Sequence, residues 1–145
     1  MRKEEIVQEI RSFNRFYVDL IGLLNSGGYH SNYSLAETRV LYEIHQAGSL
    51  QASQVMLHIQ IDKSYLSRIL RRLEKDELIT RKRSDKDARA VTLSLTKKGK
   101  LEMEQINQAA SDLVKAQIKG LDDDSSQQLV RHMKEIMQLL NAVDE

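Results

Sequence analysis

The chain has no cysteine, no proline and no tryptophan, and only 6 glycines. Without cysteine there is no disulfide framework, no thiolate metal site and no thiol redox chemistry, which is compatible with a reducing cytoplasm. Without proline, and with few glycines, little interrupts a helix, so long helices are favoured over many short strands and turns. Aromatic residues make up 5%, which argues against an all-β sandwich. No apolar run approaches the ~20 residues of a membrane span. The start, MRKEEIVQEI, is charged where a signal peptide has an apolar core. The expectation is a cytoplasmic protein with no membrane partner.

What is present is one domain's worth of chain. At 145 residues, with 41% hydrophobic and 30% charged residues, it can bury a real core, and its composition is not that of a disordered chain. The net charge of +1 hides an asymmetry. Residues 62–100 hold 13 Lys and Arg against 6 Asp and Glu, a balance of +7, while the rest of the chain holds 9 against 15, a balance of −6. A basic centre between acidic flanks suits a polyanionic partner, although a solvated charged face has the same composition.

Apolar spacing divides the chain into six helices and a hairpin. Ile6, Ile10, Phe13, Tyr17, Leu20 and Leu24 recur at intervals of 4 and 3, the seam of a helix over residues 4–24 that packs lengthwise on others. Gly27 and Gly28 end it. Ser34 and Glu37 form a capping box for a helix over 35–46, with Val40, Leu41 and Ile44 inward and Gly48 as its stop. A short helix over 52–58 turns Val55 and Met56 inward. Asp62 then caps a fourth helix, in which Leu66, Ile69, Leu70 and Leu73 form one apolar face. Next the period falls to 2: Val91, Leu93 and Leu95 alternate with polar residues, and Ile79 to Arg83 is the expected partner strand. Thr96 caps a long helix to about 119, lined by Met103, Ile106, Ala110, Leu113 and Val114. Asp122, Asp123 and Asp124 open a sixth, whose seam is Leu129, Met133, Ile136, Leu140 and Val143. The fold class expected is mainly α with a small β-hairpin wing.

A short helix, a turn and a second amphipathic helix form a helix-turn-helix, a motif that sets its second helix in a major groove. The outward face of that helix must be polar and basic to meet phosphates and base edges. Ser64, Ser67, Arg68, Arg71 and Lys75 supply such a face, flanked by Lys63, Tyr65 and Arg72. The hairpin adds Arg81, Lys82, Arg83, Lys86 and Arg89, cations of the kind drawn into a narrow minor groove.

The stretch over residues 34–100 resembles the MarR family of bacterial winged-helix transcriptional regulators. The segments that carry the resemblance are IDKSYLSRILRRLE, the D-x-R of Asp87 and Arg89, and LTKKG. The amino end is similar to the regulator half of proteins that fuse such a domain to a GNAT acetyltransferase, and 145 residues leave no room for that second domain. The resemblance implies a single domain over 1–145: a winged-helix lobe at 34–96, and dimerisation helices at 1–25 and 97–145. It also implies a homodimer on a near-palindromic DNA duplex. The seams at Ile6, Ile10 and Phe13 and at Leu129, Met133, Ile136, Leu140 and Val143 need burial in any case, in a dimer or in an intramolecular bundle. As the family's wing pair, Asp87 would orient the Arg89 guanidinium. Two positions depart from the family pattern. Ala88 stands where many members have Arg, and Glu77 stands where many have Gly.

The resemblance further implies a small aromatic or anionic effector in a crevice beside the dimer helices. Phe13, Phe16, Tyr17, Tyr33, Arg39 and Tyr42 are candidates to line it, and an ordinary aromatic core explains the same residues. Without cysteine, the thiol switch of the family's peroxide sensors is excluded. His30, His45, His58 and His132 form no close ligand pair, although His30 or His45 beside a carboxylate is the candidate for zinc. Met56, Met103, Met133 and Met137 read as core filler. No catalytic constellation and no cofactor motif is present, so no enzyme activity is expected. Two functions remain: a sequence-specific double-stranded-DNA-binding repressor, or a winged-helix module whose basic face takes RNA or an acidic protein.

Overall fold

The computed structural model describes residues 1–22, 32–83, 85–87 and 89–143. Expectations on Leu24, the Gly27–Gly28 stop, His30 and Ala88 lie outside the described residues. Among those described, six helices and three strands follow in the order α1 (Lys3–Leu20), α2 (Leu35–Ala47), β1 (Ser49–Gln51), α3 (Ala52–Ile59), α4 (Lys63–Lys75), β2 (Ile79–Arg83), β3 (Val91–Leu95), α5 (Lys97–Ile118) and α6 (Asp123–Asn141). Contacts divide the chain into two units, residues 1–110 and 111–145.

In the first unit, α1 starts on a box in which the Glu5 carboxylate accepts the Arg2 backbone N–H at 2.9 Å. It ends at Leu20, four residues short of the expected end, because Gly22 takes a positive φ of 68° and turns the chain out of the helix. α2 is capped as expected: Ser34 Oγ accepts the Glu37 N–H, and Glu37 accepts the Ser34 N–H. Gly48 closes it at φ 76°.

The sheet has the antiparallel order β1-β3-β2. The β2–β3 hairpin was expected, and Ile79 pairs with Leu95 and Arg83 with Val91. Strand β1 was not expected. Its three residues are too few to show alternation, and only the register of Leu50 on Leu93 makes them a strand. The core lies between this sheet and α2, α3, α4 and the start of α5. Val40, Leu41, Ile44, Val55, Leu73, Leu78 and Leu93 are fully buried in it, with Leu50, Met103 and Ile106 nearly so.

The second unit holds the end of α5 and α6. The Asp122 carboxylate caps α6 by accepting the Ser125 N–H at 2.7 Å, a bond that holds its pKa below the usual range. Neither α1 nor α6 contains a buried residue. Most of their apolar side chains are exposed, among them Ile6, Ile10 and Phe13 on α1 and Met133, Ile136 and Leu140 on α6, as is Val143 just beyond it.

Candidate nucleic-acid interface

Helices α3 and α4 meet through a turn in which Gln60 adopts the left-handed conformation at φ 50°. The Asp62 carboxylate accepts the Tyr65 N–H at 2.9 Å and starts α4. Four buried side chains, Leu66, Ile69, Leu70 and Leu73, then press one face of α4 into the core. Each contributes ~1.5–3 kcal/mol by leaving water. That burial turns the opposite face outward. Lys63, Ser64, Ser67, Arg68 and Arg71 line one open concavity of about 500 Å³. None of Lys63, Arg68 and Arg71 has a carboxylate partner among the described residues. The Arg68 guanidinium lies 5.5 Å from the Tyr65 ring centre, a packing that leaves its N–H edge available.

The end of α4 is also built closely. Leu78 N–H bonds to Leu73 O and Glu77 N–H to Glu74 O, the paired closure of a helix whose next residue is left-handed. Glu77 is that residue, at φ 61°, so the departure from glycine noted in the sequence leaves the helix end intact with strained backbone. The start of α5 docks on this end. Thr96 Oγ1 donates to Glu77 O at 2.6 Å and accepts the Gly99 N–H at 2.9 Å. A Cβ at Gly99 would overlap the Leu78 carbonyl oxygen, which is why the LTKKG segment carries glycine there.

Arg72 is placed differently from its neighbours. Its Nη1 donates to both oxygens of Glu37, at 2.7 and 2.9 Å, and its Nη2 to Asn32 O at 3.0 Å. Its guanidinium carbon sits 5.0 Å from the Tyr33 ring centre. Glu37 is 5% exposed, so this is a buried carboxylate whose charge is met by one arginine. The Tyr33 hydroxyl donates to Asp76 Oδ2 at 2.9 Å. Burial first, and then that bond, push its pKa up to about 12. Nothing in the sequence marked this group, because its members lie on α4 and more than 30 residues upstream.

On the hairpin, Arg81 is engaged by Glu74 at 2.6 Å, whereas Lys82, Arg83, Lys86 and Arg89 are exposed. The Asp87 carboxylate accepts the Arg89 backbone N–H at 3.0 Å. Among the described residues no ion pair joins it to the Arg89 guanidinium. The expected side-chain pair is therefore corrected to a local side-chain-to-backbone turn, the common habit of aspartate two residues upstream.

A second cavity, of about 290 Å³, lies between α2 and α5 and is lined by Leu35, Thr38, Arg39, Tyr42, Met103, Ile106, Asn107 and Ala110. Of the crevice candidates it gathers Arg39 and Tyr42. Phe16 and Tyr17 are exposed or half-exposed on α1, where Tyr17 stacks on Phe13 at 5.7 Å, and Tyr33 belongs to the Arg72 group. Arg39 Nε also meets Glu43 at 2.8 Å. Among the described residues no cluster of His, Asp and Glu is placed to hold a metal ion, and no helix is long and apolar enough to cross a membrane.

A helix-turn-helix with a basic outer face, followed by a β-hairpin whose sheet is completed by the strand ahead of α3, defines a winged-helix protein. Residues 33–91 match the model of the MarR family, a stretch that covers less than half of the chain. Over 71 residues the chain is 32% identical to the HTH-type transcriptional repressor MdtR of Bacillus subtilis (strain 168). That alignment takes in 49% of this chain and 46% of the relative, so it spans about half of each. A MarR mutant from E. coli, solved in complex with operator DNA, is 27% identical over 91% of this chain and 95% of its own, with a TM-score of 0.72. BpsR of Bordetella bronchiseptica, whose DNA binding is regulated by 6-hydroxynicotinic acid, shares the fold at TM-score 0.71 and 19% identity, over 90% of this chain and 98% of its own.

Proposed function

We propose that the protein is a cytoplasmic transcriptional repressor that binds a pseudo-palindromic DNA duplex as a homodimer. The observation that carries this reading is the concavity of Lys63, Ser64, Ser67, Arg68 and Arg71, whose cations have no carboxylate partner among the described residues, on a helix whose opposite face is buried. α4 enters the major groove, with Tyr65 beside Arg68. Arg83, Lys86 and Arg89 approach the neighbouring minor groove, and the turn at Asp87 holds the wing in shape. The operator-bound E. coli relative supports the same docking.

The winged-helix lobe spans 34–96, and 1–25 and 97–145 serve assembly. Exposed Ile6, Ile10 and Phe13 on α1, half-buried Leu129 with exposed Met133, Ile136 and Leu140 on α6, and exposed Val143 just beyond it supply the apolar faces that a second copy covers. A small aromatic or anionic effector enters the α2–α5 cavity beside Arg39 and Tyr42, while Phe16 and Tyr17 lie on α1 outside its lining. Its apolar lining with few polar groups suits such a molecule.

The test is selection of genomic fragments by purified protein, followed by footprinting. The expected result is a symmetric footprint with half-sites ~10 base pairs apart or a multiple of that. Equal affinity for all duplexes would reject the reading and favour an RNA or acidic-protein partner.

A further inference from the structure

Arg72 lies one position beyond Arg71 on the helix that carries the basic face, yet its half-exposed side chain is held by partners within the protein. Its Nη1 reaches both oxygens of Glu37, its Nη2 reaches Asn32 O, and its guanidinium carbon lies 5.0 Å from the Tyr33 ring centre. Tyr33 in turn bonds to Asp76 at the end of α4. Glu37 is itself held by the Ser34 N–H at the start of α2. The chain of bonds runs from the first turn of α2 to the last turn of α4 and back through Tyr33. The apolar contacts of α4 set which face is buried, but the hydrophobic effect is itself non-directional and leaves small rotations of the helix weakly restrained. A planar guanidinium held at Nη1 by a buried carboxylate and at Nη2 by the Asn32 carbonyl is directional and restrains them.

We propose that Arg72 is a positioning residue: through Glu37, with Tyr33 and Asp76, it sets the rotation of α4 so that Ser67, Arg68 and Arg71 meet base edges, and it does not itself touch DNA. This rests on the reading of α4 as the DNA-reading helix. Base readout needs side chains held to within about 0.5 Å, so loosening this hold costs sequence preference before it costs attraction to phosphate.

The experiment compares wild type, Arg72→Lys, Arg72→Gln, Glu37→Gln and the Glu37→Gln/Arg72→Gln double variant. Each is titrated over a range of salt against a duplex selected by the wild type and against random duplex. Lysine keeps the charge but cannot meet Glu37 and the Asn32 carbonyl from two nitrogens of one plane. A positioning role predicts that Arg72→Lys and Glu37→Gln both lose about tenfold in preference for the selected duplex. Affinity for random duplex then stays within about twofold, and the salt slope is unchanged. A phosphate contact predicts instead that Arg72→Gln lowers both affinities alike and reduces the log–log salt slope by about 0.9. In that case Arg72→Lys restores binding and Glu37→Gln strengthens it, and this result would overturn the proposal. Thermal melts give a readout independent of DNA. The double variant should melt no lower than Arg72→Gln alone, because the two single changes break one shared contact. Additive losses would also overturn the proposal. If the wild type prefers no duplex, the DNA reading fails, and these melts alone decide whether the Arg72 contacts hold α4.

Discussion

The central lobe and the terminal helices carry the same kind of apolar stripe and put it to opposite uses. In α4 the stripe of Leu66, Ile69, Leu70 and Leu73 is closed inside the chain, and Leu73 has no exposed surface. In α6 the stripe of Leu129, Met133, Ile136 and Leu140 has no buried member, and Leu140 is 63% exposed. Polar groups follow the same division. The lobe contains the buried Glu37 and its arginine, while the hydrogen bonds of α6 stay within its own turns, as in the Asp122 cap and the His132–Glu135 pair. Periodicity announces that a helix has an apolar side. Whether the same chain or another copy covers that side depends on what else is folded nearby.

The contrast is broken most directly at Leu73. Leu73→Ala empties a closed core and should destabilise the lobe by ~2–5 kcal/mol, read as a lower urea midpoint. Leu140→Asp is expected to leave the lobe's own unfolding nearly unchanged but to weaken self-association by ~2 kcal/mol or more, since it sets a charge in an apolar contact. Sedimentation at micromolar concentration measures this. A variant that unfolds like Leu73→Ala would mean that the α6 stripe is core after all.

Smaller effects sharpen the comparison within the lobe. Arg68→Ala and Arg71→Ala should each cost ~1–3 kcal/mol in affinity for a selected duplex if they meet bases, and should relax sequence preference at one position. Their melting curves should match the wild type, because both side chains are exposed. Tyr33 should resist ionisation until about pH 12, seen as late growth of phenolate absorbance. Its folded pKa lies above its unfolded value of about 10. The stability it contributes is therefore present below pH 10 and is lost as pH rises from 10 through 12. Tyr33→Phe should remove that loss. The smallest effect belongs to Glu77. Glu77→Gly relieves a left-handed side-chain-bearing residue and should raise stability by ~0.5 kcal/mol, net of glycine's greater freedom in the unfolded chain.

The features legible in the sequence are those made by near neighbours. The Ser34–Glu37 box, the Asp62 and Asp122 caps, the Thr96 cap on Gly99 and the stop at Gly48 all join residues three or so positions apart. The apolar face of α4 and the alternation of β3 are periodic within one element. Each follows from backbone geometry that any short segment carries with it.

The tertiary structure decided what distant segments do to one another. Strand β1 exists because Leu50 finds Leu93, and Arg81 is engaged because β2 passes beside Glu74. Arg72 turns from the basic face because Glu37, 35 residues away in the chain, is buried next to it. A charge counted along the sequence is the same whether it faces water or a carboxylate. The sequence by itself determined the helices, their caps and their basic outer face, since those depend on local spacing. Which cations remain available on that face was settled only when the folded chain paired the others with buried or neighbouring carboxylates.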